Sequence, residues 1–398
     1  MTTNTPSFRK AVPALLLLTG VFFVNFLSRT VLGPLLLPTS ERLGVSLATA
    51  AQAFVALSIG YSTAVFGAGF LSSRIGHHRT ICLCLFLLGG SLLGISRTTT
   101  LGGLLSWVLI LGLGAGLYMP SGVTTITTVT PQSGWSRAFA LHEMAPNLSF
   151  VLAPFVVELA DRLGAATMTF AWIGWASLAM GILYAWRGPR IERLGVAPRL
   201  AALRPLVQNL SFWAVVVLFV ITVGVEVGVY SVIPAYLVHD RGLSEAAANT
   251  FLGASRVVSL VVLPWMGWIT ERFGLVRTLT ICMLGVSLAT CVAGVGPLPM
   301  SLALLTLQPL LAVCFFPVGF AVLARVVRRE ESDLSVSLAV TCTSLLGSGL
   351  LPAALAAWGE RAGFAWAFLG FGVASLGGSA IALRSLWRHQ RHTLTEKP

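Results

Sequence analysis

Apolar runs of about twenty residues recur along this chain from end to end, separated by short polar stretches. A helix rises ~1.5 Å per residue, so each run is long enough to cross a hydrocarbon core of ~30 Å. The pattern predicts twelve helical spans. Six fall at 11–37, 47–71, 80–97, 101–128, 136–160 and 167–186, and six more at 209–237, 246–269, 276–295, 299–325, 334–357 and 363–386. Between the sixth and seventh lies the one long polar joint, the Arg- and Pro-rich "RGPRIERLGVAPRLAALRP". The expectation is an all-α membrane protein: a six-helix bundle over 1–186, a linker over 187–208, and a second six-helix bundle with a short tail over 209–398.

The second half repeats the first. "GFLSSRIGHHR" (Gly69–Arg79) and "GWITERFGLVR" (Gly267–Arg277) share a frame of Gly, three residues, a polar residue, Arg, one residue, Gly, two residues and Arg, offset by 198 positions. Pro154 and Pro352 keep the same offset, and "DRLG" at Asp161 meets "ERAG" at Glu360 one residue out. "ERLGVS" at Glu41 matches "DRGLS" at Asp240 with a one-residue gap. Parallel repeats of six spans imply a symmetry axis along the membrane normal.

Composition sharpens this reading. Apolar residues make up 56% of the chain and charged residues only 10%, against about a quarter charged in soluble domains. The net charge of +12 comes from short basic clusters between apolar runs, without the aromatic-basic face that grips nucleic acid. These clusters read instead as orientation signals. With both termini cytoplasmic, nineteen Lys and Arg fall on the inner side and five outside, leaving Arg29 and Arg256 within spans. Arg9 and Lys10 precede the first run as they would in a signal peptide, but no A-x-A cleavage pattern follows, so the run is read as span 1. The six cysteines lie in or beside apolar runs with no CxxC pair, as small core residues do.

Charge inside a bilayer costs several kcal/mol and needs a reason. Arg29 ("NFLSRTVLGP") is placed about two-thirds of the way across span 1, and Arg256 ("FLGASRVVSL") near mid-depth of span 8. Glu226 ("GVEVGVY") lies near mid-depth of span 7. His142 and Glu143 ("LHEMAPN") lie one to two turns into span 5, with Asn147 a turn deeper. Tyr118, Gln308 and Tyr230 complete the polar candidates. Two readings compete: Arg29 and Arg256 pair structurally with Glu226 and Glu143, or at least one guanidinium grips an anionic group of a substrate. A planar guanidinium binds both oxygens of a carboxylate and keeps its proton. A carboxyl caught between burial and an adjacent Arg can exchange protons near neutral pH, which makes Glu226, Glu143 and His142 candidate proton-coupling groups.

Twelve spans in two halves, a basic joint, and the repeated loop after spans 2 and 8 resemble the major facilitator superfamily. That family's loop pattern, G-x-x-x-D-R-x-G-R-R or similar, is met in the second half with Glu271 replacing the Asp. In the first half Ser73 takes that place, and only Arg74, Gly76 and Arg79 match. The resemblance implies that Gly69, Arg74, Gly76, Arg79, Gly267, Glu271, Arg272, Gly274 and Arg277 gate the cytoplasmic side. Anchoring by positive charge alone is the competing account of Arg79 and Arg277. The resemblance also implies a cavity lined by spans 1, 4, 7 and 10 with help from 2, 5, 8 and 11. Arg29, Arg256, Tyr118, Asn147, Gln308 and Tyr230 are then substrate-binding candidates. A span-8 Arg is similar to that of the monocarboxylate porters, although Leu252 stands where those often carry an Asp.

The expected function is therefore secondary active transport of a small organic anion, a carboxylate, by alternating access with proton coupling. The alternative is a proton-driven drug or metabolite exporter. "HEMAP" lacks the second His of a zinc site, and neither G-x-S-x-G nor a P-loop occurs, so catalysis and ATP drive have no residues to carry them. The expected partners are the substrate anion, protons and the lipid bilayer, with no nucleic acid and no cofactor. The expected setting is a monomer in a bacterial inner membrane.

Overall fold

In a computed structural model of the chain, residues 8–191, 203–262, 265, 272–328 and 332–395 are described. Among them every regular element is helical. Twelve long helices follow one another: α1 Phe8–Thr30, α2 Leu47–Ile75, α3 His77–Arg97, α4 Leu101–Val129, α5 Trp135–Arg162 and α6 Met168–Arg187, then α7 Leu210–Asp240, α8 Glu245–Val262, α9 Leu275–Val295, α10 Leu298–Val326, α11 Leu334–Ala362 and α12 Phe364–Thr395. Eleven of them are long and apolar enough to cross a membrane; α8 is followed by residues outside the described set.

Local chemistry sets several boundaries. Thr100 caps α4 by accepting the Gly103 N–H, and Asn209 caps α7 by accepting those of Ser211 and Phe212. The first helix departs from the expected 11–37. It ends at Thr30, turns through residues 31–35, and resumes as a short helix, Leu36–Leu43. Pro34 has no N–H to give and Gly33 favours no helix, so the dipeptide breaks the run despite its apolar flanks. Arg29 therefore sits in the last turn of α1 rather than about two-thirds of the way along it. The partial negative charge of that helix end favours a cation there.

The chain divides into two compact units, Met1–Ser46 with Gln52–Pro198, and Leu47–Ala51 with Arg199–Pro398. The sequence repeat reappears in the backbone. All six described residues with positive φ are glycines, and they form three pairs half a chain apart: Gly44 and Gly242, Gly76 and Gly274, Gly164 and Gly363. Gly76 (φ 80°, ψ 159°) and Gly274 (φ 82°, ψ 149°) start α3 and α9 in a region that essentially only glycine enters. Thr80 and Thr278 each donate a hydroxyl back to these glycine carbonyls, at 2.8 and 2.9 Å. The glycine turn that starts the helix after each loop frame is thus built alike in both halves.

A second repeated device uses arginine. Arg42 donates to the Ile95 and Ser96 carbonyls at the end of α3, both at 3.2 Å. Arg241 donates to the Gly294 and Gly296 carbonyls at the end of α9, both at 2.8 Å, and to the Tyr236 hydroxyl at 2.7 Å. Burial draws the Arg42 guanidinium down from its ordinary value, and the carbonyls it covers favour the charge in return.

Candidate functional site

The second unit brings Glu226 and Arg256 together. Along α7 the chain widens into a π-helical turn, Gly224–Val229, and into another at Tyr236–Asp240. Pro234 lies between them, unable to donate to the carbonyl four residues back. Such π turns leave the regular hydrogen-bond ladder and occur often at functional positions. Glu226 sits within the first, 5% exposed, and Arg256 of α8 is 4% exposed. Arg256 Nη1 lies 3.5 Å from Glu226 Oε1, and Nη2 donates to the Glu226 backbone carbonyl at 3.2 Å. The Arg256 guanidinium also covers the Tyr230 ring at 4.7 Å. The contact between the two charges is long and single rather than forked, and among the described residues Glu226 Oε2 has no hydrogen-bond partner. A buried carboxylate oxygen without a donor is costly, and Glu226 carries that cost on its Oε2 side.

The first unit holds Arg29 differently. Its guanidinium lies 4.3 Å from the centroid of Phe26 and 4.9 Å from that of Tyr61, both within cation–π range. Among the described residues no carboxylate comes within 4 Å of Arg29, and its buried Nε has no hydrogen-bond partner.

A further cluster joins α1, α4 and α5. The Tyr118 hydroxyl donates to the Leu18 carbonyl at 2.9 Å and stands 2.9 Å from His142 Nε2. The Phe22 ring stacks on the His142 ring at 4.2 Å and 6°. His142 is 1% exposed, and its Nδ1 lies 3.7 Å from Oε1 of Glu143, whose side chain is half exposed.

The other candidates lie elsewhere. Asn147 donates to the Glu143 backbone carbonyl of its own helix at 3.0 Å. Gln308 is buried, and its amide donates to the Thr290 hydroxyl of α9 at 2.5 Å. Gly69 lies within α2. Arg74, Arg79, Arg272 and Arg277 are exposed, with no described carboxylate within 4 Å. Gly267 and Glu271 lie outside the described residues.

Sequence reasoning passed over the aromatic side chains that frame these charges: Phe22, Phe26 and Tyr61. Tyr61, one of only five tyrosines in the chain, was the available signal. It also passed over Asn25, which donates to the Ala115 carbonyl at 3.1 Å, although its i, i+4 spacing to Arg29 places both on one face of α1. Glu158 was missed as well; it is 7% exposed and accepts from Arg162 Nε at 3.0 Å, one turn on.

Known proteins share this architecture. A profile of the Major Facilitator Superfamily matches residues 18–263 and 218–398. The chain belongs to that superfamily and is a multi-pass membrane transporter by family and fold. Among solved structures, a bacterial homolog of the human lysosomal transporter Spinster aligns with TM-score 0.74 at 16% identity over 98% of each chain. The nucleoside transporter NupG aligns with TM-score 0.74 at 16% identity over 94% of this chain and 99% of its own. A POT family transporter solved with 5-aminolevulinic acid aligns with TM-score 0.74 at 14% identity over 93% and 95%. At such identities the likeness is one of fold. A multi-drug resistance efflux pump PmrA homolog from Lactococcus lactis subsp. cremoris is 45% identical over 47 residues, 12% of this chain and 40% of that protein's length.

Proposed function

We propose that this transporter carries a small organic anion, a carboxylate, by alternating access, and that a proton drives it. The observation that carries the reading is the Arg256–Glu226 pair: buried, single-pointed, with one carboxylate oxygen unsatisfied. Protonation of Glu226 removes the counter-charge and leaves Arg256 to a substrate carboxylate; departure of the anion restores the pair. A buried guanidinium favours an anion and repels a cation strongly in a low-dielectric setting. Arg29, cushioned by aromatic faces and with no described acid within 4 Å, is a second cation disposed to bind the anion. The repeated loop serves as a gate on the cytoplasmic side, with both termini on that side of a bacterial inner membrane.

Uptake of labelled small carboxylates into proteoliposomes tests this, with and without an inward proton gradient, for the wild type and Arg256→Ala. One acid should accumulate with the gradient in the wild type and fail to do so in the variant. Normal transport by Arg256→Ala would make that residue structural.

A second reading, a proton-driven exporter of drugs or metabolites, draws on the 47-residue match to an efflux-pump homolog. It predicts that no carboxylate moves in that panel, and that a gradient of the opposite sense expels neutral or cationic compounds.

A further inference from the structure

The hydrogen bonds around Tyr118 constrain where protons sit on His142. A tyrosine hydroxyl has one proton, and a backbone carbonyl can only accept. With the Tyr118 hydroxyl donating to Leu18 O, the 2.9 Å contact to His142 is satisfied only if Nε2–H donates to the Tyr118 oxygen. Nε2 is then protonated in every charge state, and the exchangeable position is Nδ1. That atom is buried and has no hydrogen-bond partner. It lies 3.7 Å from Glu143 Oε1. In the neutral ring a bare lone pair faces a carboxylate, which is repulsive; one added proton converts the contact to attraction.

We propose that Nδ1 of His142 and the carboxyl of Glu143 together hold one exchangeable proton, with Tyr118 a positioning residue that fixes the imidazole tautomer. The half-exposed Glu143 takes the proton from water. A rotation of its side chain closes the remaining distance, its O–H bond breaks, and an N–H bond forms at Nδ1, leaving carboxylate beside imidazolium. The Phe22 ring stacked on His142 presents a π-face that favours the cation. Among the described residues, His142 meets Phe22 from α1, Tyr118 from α4 and Glu143 on α5 itself. Pro146, four residues on, withholds the N–H that would bond the His142 carbonyl and loosens the helix at this point.

This deepens the proton-coupled reading by adding a proton site in the first unit, separate from Glu226. It is tested without substrate, so its outcome does not depend on whether an anion is carried. Nitrogen NMR of the ¹⁵N-histidine-labelled full chain in lipid nanodiscs reads the protonation of each ring nitrogen against pH, with His142→Gln assigning the signal. The expected wild-type result is a neutral form protonated at Nε2 that gains its second proton at Nδ1 on acidification. Glu143→Gln should require lower pH for that step. Tyr118→Phe should release the tautomer, so that both neutral forms appear. A neutral form protonated at Nδ1 in the wild type, or a titration indifferent to Glu143→Gln, would overturn the proposal.

Discussion

The two intramembrane arginines do different work because of what surrounds them. Arg256 lies against Glu226 and, on the proposed mechanism, becomes available to an anion when that acid is protonated; Arg29 has aromatic faces and no described acid within 4 Å. Arg29→Gln should therefore weaken substrate binding without uncoupling transport. Loss of a charged hydrogen bond is worth about 1.5–3 kcal/mol, so the half-saturating substrate concentration should rise roughly 10- to 100-fold while accumulation still follows the proton gradient; concentration-dependent uptake measures this. Sequence alone exposed the charges, since an ionised side chain in an apolar run is visible without any structure. It could not choose between the partners of each one. Pairing Glu226 with Arg256 depends on the approach of α7 and α8 and on a π turn that re-aims the carboxylate, and no pattern of apolar residues encodes that turn. Gln308 shows the same limit: its position in α10 was legible, but its orientation toward Thr290 was not.

At the scale of helices, glycine acts in two physically distinct ways. Gly76 and Gly274 hold a positive φ with nothing within 4 Å of the missing Cβ, so a substitution there meets backbone strain alone. Gly60, Gly112 and Gly116 instead let α2 and α4 touch. A Cβ on Gly112 would stand 2.2 Å from the Leu57 carbonyl oxygen, and one on Gly60 would stand 2.2 Å from the Leu109 carbonyl oxygen. Close packing through small residues is how membrane helices associate where lipid supplies no hydrophobic drive. Gly76→Ala should cost about 1–3 kcal/mol, and Gly112→Ala should separate α2 from α4. Gly102→Ala, whose Cβ meets open space, should be neutral. Thermal unfolding in detergent ranks the three. The Gly76 and Gly274 turns were legible because their frame recurs at a fixed offset. The break in α1 was also written in the sequence, as Gly33-Pro34, and the apolar residues on either side masked it.

For the whole molecule, the repeat shows where the two halves have diverged. The offset of 198 that relates the loops places Glu226 opposite Ser28 and Arg256 opposite Ser58. The ion pair of the second unit thus corresponds to two serines in the first. There the Ser28 hydroxyl donates to the Asn25 carbonyl at 2.7 Å, and the Ser58 hydroxyl has no partner. The shared backbone turns and arginine staples are common to both halves, while the Glu226–Arg256 ion pair belongs to the second. Removing Glu226 alone takes away the acid that Arg256 faces in the described structure, at a cost of about 3–5 kcal/mol. A glutamine preserves shape and hydrogen bonding while imitating the protonated acid. Proton coupling through Glu226 is therefore read with Glu226→Gln in proteoliposomes, by comparing exchange of a transported carboxylate across the membrane with its accumulation under an inward proton gradient. Exchange should persist, accumulation should be lost, and the rate should no longer depend on pH through this group. Gradient-driven accumulation at the wild-type level in Glu226→Gln would contradict that coupling.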